Sequence, residues 1–139
     1  MTEIWRLEDR LPSPAEHRRL AESVGWHGAF DWTSQPASLA GSTLGVVAVD
    51  GDGAAIGMAR VVGDGVKYFY VQDVVVDPAH QGRGIGRAIL DRVLLRVREL
   101  APAPPFVALF ATTDGMPLYR SLGFEAGDMV GMFQVIDRG

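Results

Sequence analysis

The segment Gln81-Gly82-Arg83-Gly84-Ile85-Gly86 joins a run that favours strand to a run that favours helix, and it constrains the chain more than any other feature. On its strand side, Val66 to Val76 is rich in Val, Tyr and Phe and is closed by Asp77-Pro78. On its helix side, Ile85, Ile89, Val93, Val97 and Leu100 recur at spacings of three or four, until Pro102, Pro104 and Pro105 forbid continuation. The first N–H groups of a helix have no intrahelical carbonyl, and the helix dipole adds partial positive charge there. Glycine removes the Cβ that would hold a bulky anion away from this backbone. The arrangement predicts a phosphate site. Its spacing is neither that of a Walker loop, since no Lys-Ser/Thr pair follows, nor G-x-G-x-x-G, since the third position falls on Arg87 or Ile89. A hairpin meander precedes it, whereas a dinucleotide-binding turn follows a parallel strand. The pattern that fits is [QR]-x-x-G-x-[GA], filled by Gln81, Gly84 and Gly86.

The rest of the chain supplies the setting. Thr2 to Leu7 reads as a short strand. Ser13-Pro14-Ala15-Glu16 opens a helix with a capping box, and that helix runs to about Val24, before Gly25. A short helix is expected near Pro36 to Ala40. Strands are expected over Thr43 to Val49, Ala54 to Val62 and Val66 to Val76, with turns at Asp50-Gly51-Asp52-Gly53 and Gly63-Asp64-Gly65, making an antiparallel meander. Phe106 to Phe110 reads as a buried strand. Asp114 to Leu122 reads as a short helix closed by Gly123, and Phe124 to Ile136 as one or two final strands. This order predicts an α/β (α+β) layer fold with a mixed sheet.

The length of 139 residues suits one domain, read here as residues 1–139, with a core that needs no staples. With no cysteine, disulfides, thiolate metal sites and a cysteine nucleophile are excluded. His17, His27 and His80 lack metal-ligand spacing, so no metal is expected. The net charge of −4 argues against a nucleic-acid binder. No stretch is apolar enough to span a bilayer, and the N-terminus lacks an apolar leader region, so a cytoplasmic setting is the expectation. Of thirteen basic residues only Lys67 is a lysine. Arg83, Arg87, Arg92, Arg96 and Arg98 stand against Asp91 alone between His80 and Arg98, a local basic helix in an acidic chain. Arg83 and Arg87 fall beside the predicted phosphate site; the others are read as solvating the helix face.

Three ordered motifs make the chain resemble the GNAT (N-acetyltransferase) superfamily. Gln81 to Gly86 matches its acyl-CoA pyrophosphate loop, Asp73-Val74-Val75-Val76-Asp77-Pro78 the strand before it, and Leu118-Tyr119-Arg120-Ser121-Leu122-Gly123-Phe124 its later tyrosine-bearing helix. The resemblance implies a mostly antiparallel central sheet flanked by helices, with acetyl-CoA as acyl donor. It implies that N–H groups from Gln81, Gly82, Arg83, Gly84, Ile85, Gly86 and Arg87 hold the pyrophosphate. The main chain of Val74, Val75 and Val76 would pair with the pantetheine arm like an added strand, in the gap where the sheet splays from Phe106–Phe110.

Acetyl transfer to an amine needs a neutral amine, a stabilised thioester oxygen and a protonated leaving thiolate. The resemblance assigns the last role to the Tyr119 hydroxyl and the second to a backbone N–H near Val74 or Val75. It places a general base near Asp73, and a solvated strand carboxylate or one that anchors a turn is the plainer reading of that residue. By period two, Gln72 and Asp73 face opposite sides. The family's asparagine seven residues before the tyrosine is Thr112 here, and its alanine three residues later is Gly115, so the arm contact from that segment falls to a threonine hydroxyl. Glu22 and His27 read as surface residues, and His80 as a loop residue near the phosphates. Trp26, Phe30 and Trp32 offer either an aromatic wall for the acceptor or core, and Met129 to Phe133 a second wall. The expected function is direct, ternary-complex transfer to a primary amine of a small molecule, with a homodimer left open. Protein lysine or N-terminal acetylation, and a catalytically silent acyl-CoA sensor, are the alternatives.

Overall fold

The protein is described here from a computed structural model covering residues 4–139. Residues up to Leu109 form one compact unit and residues 110–139 a second, and each is described by itself.

The first unit carries a five-stranded sheet whose order follows the sequence. Its strands are β1 (Trp5–Glu8), β2 (Leu44–Asp50), β3 (Ala55–Gly63), β4 (Tyr68–Val76) and β5 (Phe106–Ala108). The first four are antiparallel neighbours, and β5 lies parallel to β4. The meander is therefore as the turn signals predict. Asp50 and Asp64 close its two hairpins by accepting backbone N–H bonds from the residues that follow them. Of the expected first strand, Thr2 and Glu3 lie outside the described residues.

Three helices cover the sheet: α1 (Pro14–Ser23), α2 (Gln35–Ala40) and α3 (Ile85–Leu100). The capping box of α1 is complete. Ser13 Oγ accepts from the Glu16 N–H at 3.1 Å, and Glu16 Oε1 accepts from the Ser13 N–H at 2.8 Å. Arg10 grips the same carboxylate at 2.7 Å and holds its pKa down to about 2. Leu20 of α1 packs with Val47, Val49, Ala55, Met58 and Val75, and Val24 and Trp26 extend this cluster. On the opposite face, α3 sits so close that a Cβ on Gly57 would lie 2.9 Å from Ile89 Cδ1. Two of its arginines are tethers as well as solvated groups. Arg92 bonds the Asp9 carboxylate, and Arg96 donates to the Gly45 carbonyl.

Two expectations are corrected. Phe106–Ala108 is a short strand at the end of the strand order, not a buried one. Phe106 is 47% exposed, with its ring tilted against that of Tyr68 on the strand beside it, 6.0 Å between centroids. Phe124 to Ile136 forms no strand. Its apolar residues do not alternate strictly, Gly127 takes a positive φ of 61°, and β-propensity without a ladder partner does not make a strand. In the second unit, α4 (Met116–Ser121) is closed at Gly123, whose φ is 95°.

Candidate active site

Strand β4 carries an irregularity that organises everything near it. Met58 pairs with Val75 but Arg60 pairs with Gln72, so two steps along β3 match three along β4. The extra residue makes a β-bulge. Asp73 sits in it with φ of 55°, the one non-glycine residue with positive φ among those described. The bulge corrects the period-two reading of Gln72 and Asp73. Gln72 lies directly opposite Arg60, and the Asp73 carboxylate also reaches the Arg60 side chain, so both project to the α1 face.

Asp73 is the centre of a buried polar cluster. Its Oδ2 accepts from Arg60 Nε at 2.7 Å and from His17 Nε2 of α1 at 2.8 Å. Arg60 Nη1 also donates to the Ser38 carbonyl at 3.2 Å and to Ser42 Oγ at 3.1 Å, so its charge is bound on two sides. All three side chains are nearly inaccessible. Burial pushes the Asp73 carboxyl up, but the hydrogen bonds from His17 and Arg60, with the nearby guanidinium charge, outweigh it and hold the group below the usual carboxylate range. Asp73 is an anion committed to two donors. Over His17 lie Phe30, its ring at 5.2 Å, and Trp32, at 6.0 Å, both edge-on.

Neither His17 nor Arg60 is among the residues predicted as functional. The signals exist. His17 shares a helical face with Leu20, Ala21 and Val24, which marks it as core-facing. Arg60 is the only charged residue of β3, in phase with Met58 and Ile56, and a cation so placed needs an anion from the adjoining strand.

Beyond the bulge, β4 is laid out as the phosphate-loop motif requires. β5 pairs with β4 only at Tyr68, Phe69 and Tyr70, so it leaves Val74, Val75 and Val76 without a β5 partner. This is the splay: along this stretch the ladder to β5 has ended. Gln81 Nε2 donates to the Val76 carbonyl at 3.1 Å and ties the loop to the end of the strand. Gly82 and Gly84 each take φ of 80°, a left-handed conformation that brings the chain into α3 with Gly84 as its N-cap. Ile85 and Gly86 stand in the first turn, where no intrahelical carbonyl reaches their N–H groups. Arg83 and Arg87 are exposed at this end of the helix. A cradle of left-handed glycines at the head of a sixteen-residue helix fits a large anion with room for its oxygens. His27, by contrast, is an exposed partner of Glu22 at 3.4 Å, as its surface reading predicts.

In the second unit, Thr112 Oγ1 accepts from the Gly115 N–H at 3.2 Å, which closes the turn before α4 while its O–H can still donate. Tyr119 packs edge-on against Phe124 at 6.1 Å, and burial raises its phenol pKa above the usual value. A Cβ on Gly115 would lie 3.0 Å from Tyr119 Cε2. The departure from the family's alanine thus makes room for the tyrosine ring.

A splayed, bulged β4 feeding a glycine-rich helix start defines the class: an acyltransferase fold. Comparison with known proteins gives the family. The acetyltransferase (GNAT) domain model matches residues 41–126. Serotonin N-acetyltransferase 2 of rice is 40% identical over 119 residues, covering 86% of this chain and 48% of its own length. A soybean protein named histone acetyltransferase is 38% identical over 73 residues, 51% of this chain and 30% of that one. The chain therefore spans less than half the length of these curated relatives. A GNAT-family acetyltransferase structure from Streptococcus pneumoniae superposes with a TM-score of 0.81 at 30% identity, covering 98% of this chain and all of the other. The chain belongs to the GNAT acetyltransferase family.

Proposed function

We propose that this domain transfers the acetyl group of acetyl-CoA to a primary amine of a small molecule, directly and without an acyl-enzyme. The observation that carries the reading is the continuity of the unpaired Val74–Val76 edge with the left-handed Gly82 and Gly84 at the head of α3. An amide-rich arm pairs with the first while its pyrophosphate lies on the second. The donor supplies an activated thioester; this chain's residues hold it and manage protons. Val74, Val75 and Val76 orient the arm through main-chain hydrogen bonds. Gln81 to Arg87 bind the phosphates, with Arg83 and Arg87 adding charge. A backbone N–H at Val74 or Val75 steadies the carbonyl oxygen as charge develops. The family resemblance gives the Thr112 hydroxyl a contact to the arm and gives Tyr119, whose phenol keeps its proton through neutral pH, the role of acid for the leaving thiolate.

The small-amine reading is supported by the rice relative named for serotonin acetylation, and protein acetylation by the soybean relative named for histones. A thiol-release assay with acetyl-CoA decides between them. Serotonin, 2-phenylethylamine, spermidine and a lysine-bearing histone-tail peptide are offered in turn. Turnover on a small amine at least 10-fold faster than on the peptide is expected. Faster turnover on the peptide overturns the small-amine reading, and acetyl-CoA binding with no turnover on any of them leaves a sensor module.

A further inference from the structure

Between Gln72 and Asp77, the backbone of β4 is held by β3 at every residue but two. Gln72 lies in register with Arg60, Val75 with Met58 and Val76 with Gly57, and the Asp77 N–H donates to the Ile56 carbonyl at 2.9 Å. Asp73 and Val74 have no register partner on β3, because of the bulge, and none on β5, whose pairing ends at Tyr70. Where no ladder fixes the backbone, side chains must. Val74 is apolar, so the task falls to Asp73.

The Asp73 carboxylate is tied from two elements. From β3, Arg60 Nε donates to Oδ2 at 2.7 Å, and the same guanidinium is bonded to the Ser38 carbonyl and to Ser42 Oγ. From α1, His17 Nε2 donates to that oxygen at 2.8 Å, since a carboxylate only accepts. Helix α1 is firmly seated at this point. Leu20, one turn beyond His17, is fully buried in the cluster that contains Met58 and Val75. α1 thus meets β4 on both sides of Val74, by a hydrogen bond at Asp73 and by apolar packing at Val75. The other ring nitrogen of His17, Nδ1, is buried with no hydrogen-bond partner. A ring kept in the core at the cost of one polar atom is kept for the bond that the other atom makes. The φ of 55° at Asp73 needs the same support, because a strained backbone persists only where its surroundings over-determine it.

We infer that His17 and Arg60 are positioning residues for acyl transfer: through the Asp73 carboxylate they fix the bulge that aims the Val74 N–H at the acetyl oxygen. This rests on the acetyltransferase reading above and selects Val74 from the two backbone donors that the reading leaves open. Val75 is the weaker choice, because it is already in register with Met58. The Val74 N–H belongs to the peptide that follows Asp73, so the Asp73 backbone dihedrals set its direction. A donor of this kind acts only when it points at the oxygen on which charge develops, and a small rotation of its peptide lowers the rate without loosening the donor's arm or phosphates.

Three variants test this. His17→Leu removes the Nε2 donor and keeps an apolar side chain in the core. His17→Gln sets an amide N–H as many bonds from Cα as Nε2 is. In the ligand-free protein, the Val74 amide NMR signal is expected to move in His17→Leu and to keep its wild-type position in His17→Gln. The kcat for the acceptor turned over fastest in the thiol-release assay should fall about 30-fold in His17→Leu and stay within about 3-fold of wild type in His17→Gln, while the acetyl-CoA Kd by calorimetry changes less than about 3-fold in both. An unmoved Val74 signal in His17→Leu overturns the inference, as does an equal loss of kcat in the two variants or a loss that falls wholly on Kd. His17→Asn, whose amide ends one bond short of the carboxylate, should behave as His17→Leu and replaces it if that variant does not fold. Should the wild type acetylate no acceptor, the activity reading falls, and the Val74 signal alone decides whether His17 fixes the bulge.

Discussion

Replacing Asp73 by Asn, Ala and Gly separates the two things this residue does, which are to carry a buried charge and to occupy a left-handed backbone position. Asn keeps the shape and tolerates positive φ, so Asp73→Asn reports the charge alone. It leaves the Arg60 guanidinium, whose side chain is 7% exposed, without its anion, although Ser38 and Ser42 still accept from it. Removing one partner of a buried pair costs about 3–5 kcal/mol, and the remaining acceptors place this case near the lower bound. Asp73→Ala loses the same charge and keeps the Cβ that costs about 1–2 kcal/mol relative to glycine at φ of 55°, without the polar side chain that lets Asp and Asn take this conformation. Asp73→Gly loses the charge without that strain. The order of stability expected is wild type, Asn, Gly, Ala, with Gly above Ala by about 1 kcal/mol, the reverse of the usual preference in a strand. Urea unfolding at pH 7, followed by tryptophan fluorescence, measures all four. Because the folded pKa of Asp73 is depressed, its stabilisation is present above the unfolded carboxylate pKa of about 3.9 and is lost as pH falls through the lower folded value. The gap between wild type and Asp73→Asn should therefore close under acid. Ala as stable as Gly refutes the strained bulge, and a gap that does not depend on pH refutes the ion pair.

Gly84→Ala places a side chain at φ of 80° on the N-cap of α3, and should cost about 1 kcal/mol of stability and weaken acetyl-CoA binding at least 10-fold by calorimetry. Ser13→Ala removes half of the α1 capping box and should cost about 1 kcal/mol in the same urea assay. Glu16, with a folded pKa of about 2, adds stability above its unfolded pKa that is lost between about pH 4.5 and 2, so Glu16→Gln should flatten that limb of the pH curve. Tyr119→Phe should lower kcat at least 10-fold with the acetyl-CoA Kd unchanged, and wild-type turnover would remove Tyr119 from the acid role.

The parts of the fold and site that were legible in sequence are those set by local chemistry. The capping box at Ser13, the aspartate turns at Asp50 and Asp64, and the glycines before Ile85 each act within a few residues, and each stands where the pattern puts it. What was not legible depends on partners distant in the chain. The apolar run after Phe124 has strand composition, yet a strand exists only as part of a ladder, and no local signal supplies one. The bulge at Asp73 is invisible for the same reason. One residue more on β4 than on β3 is a property of the pair, and it inverts the side on which Asp73 projects.

That inversion bears directly on the chemistry. With regular pleating, Gln72 alone would meet the α1 face, and His17 and Arg60 would find only a neutral amide opposite. A buried guanidinium beside an amide is several kilocalories per mole less favourable than beside a carboxylate, so Arg60 in β3 and the bulge in β4 are mutually dependent. The bulge also bends the strand at the point from which Val74, Val75 and Val76 run on past β5. A single inserted residue thus delivers an anion to the histidine on one face of β4 and frees the edge that would carry the acyl donor. On this argument, deleting one residue at Gln72–Asp73 to restore regular register should abolish both acetyl-CoA binding and the His17 Nε2 hydrogen bond together. Loss of either one alone would show that the two are built independently.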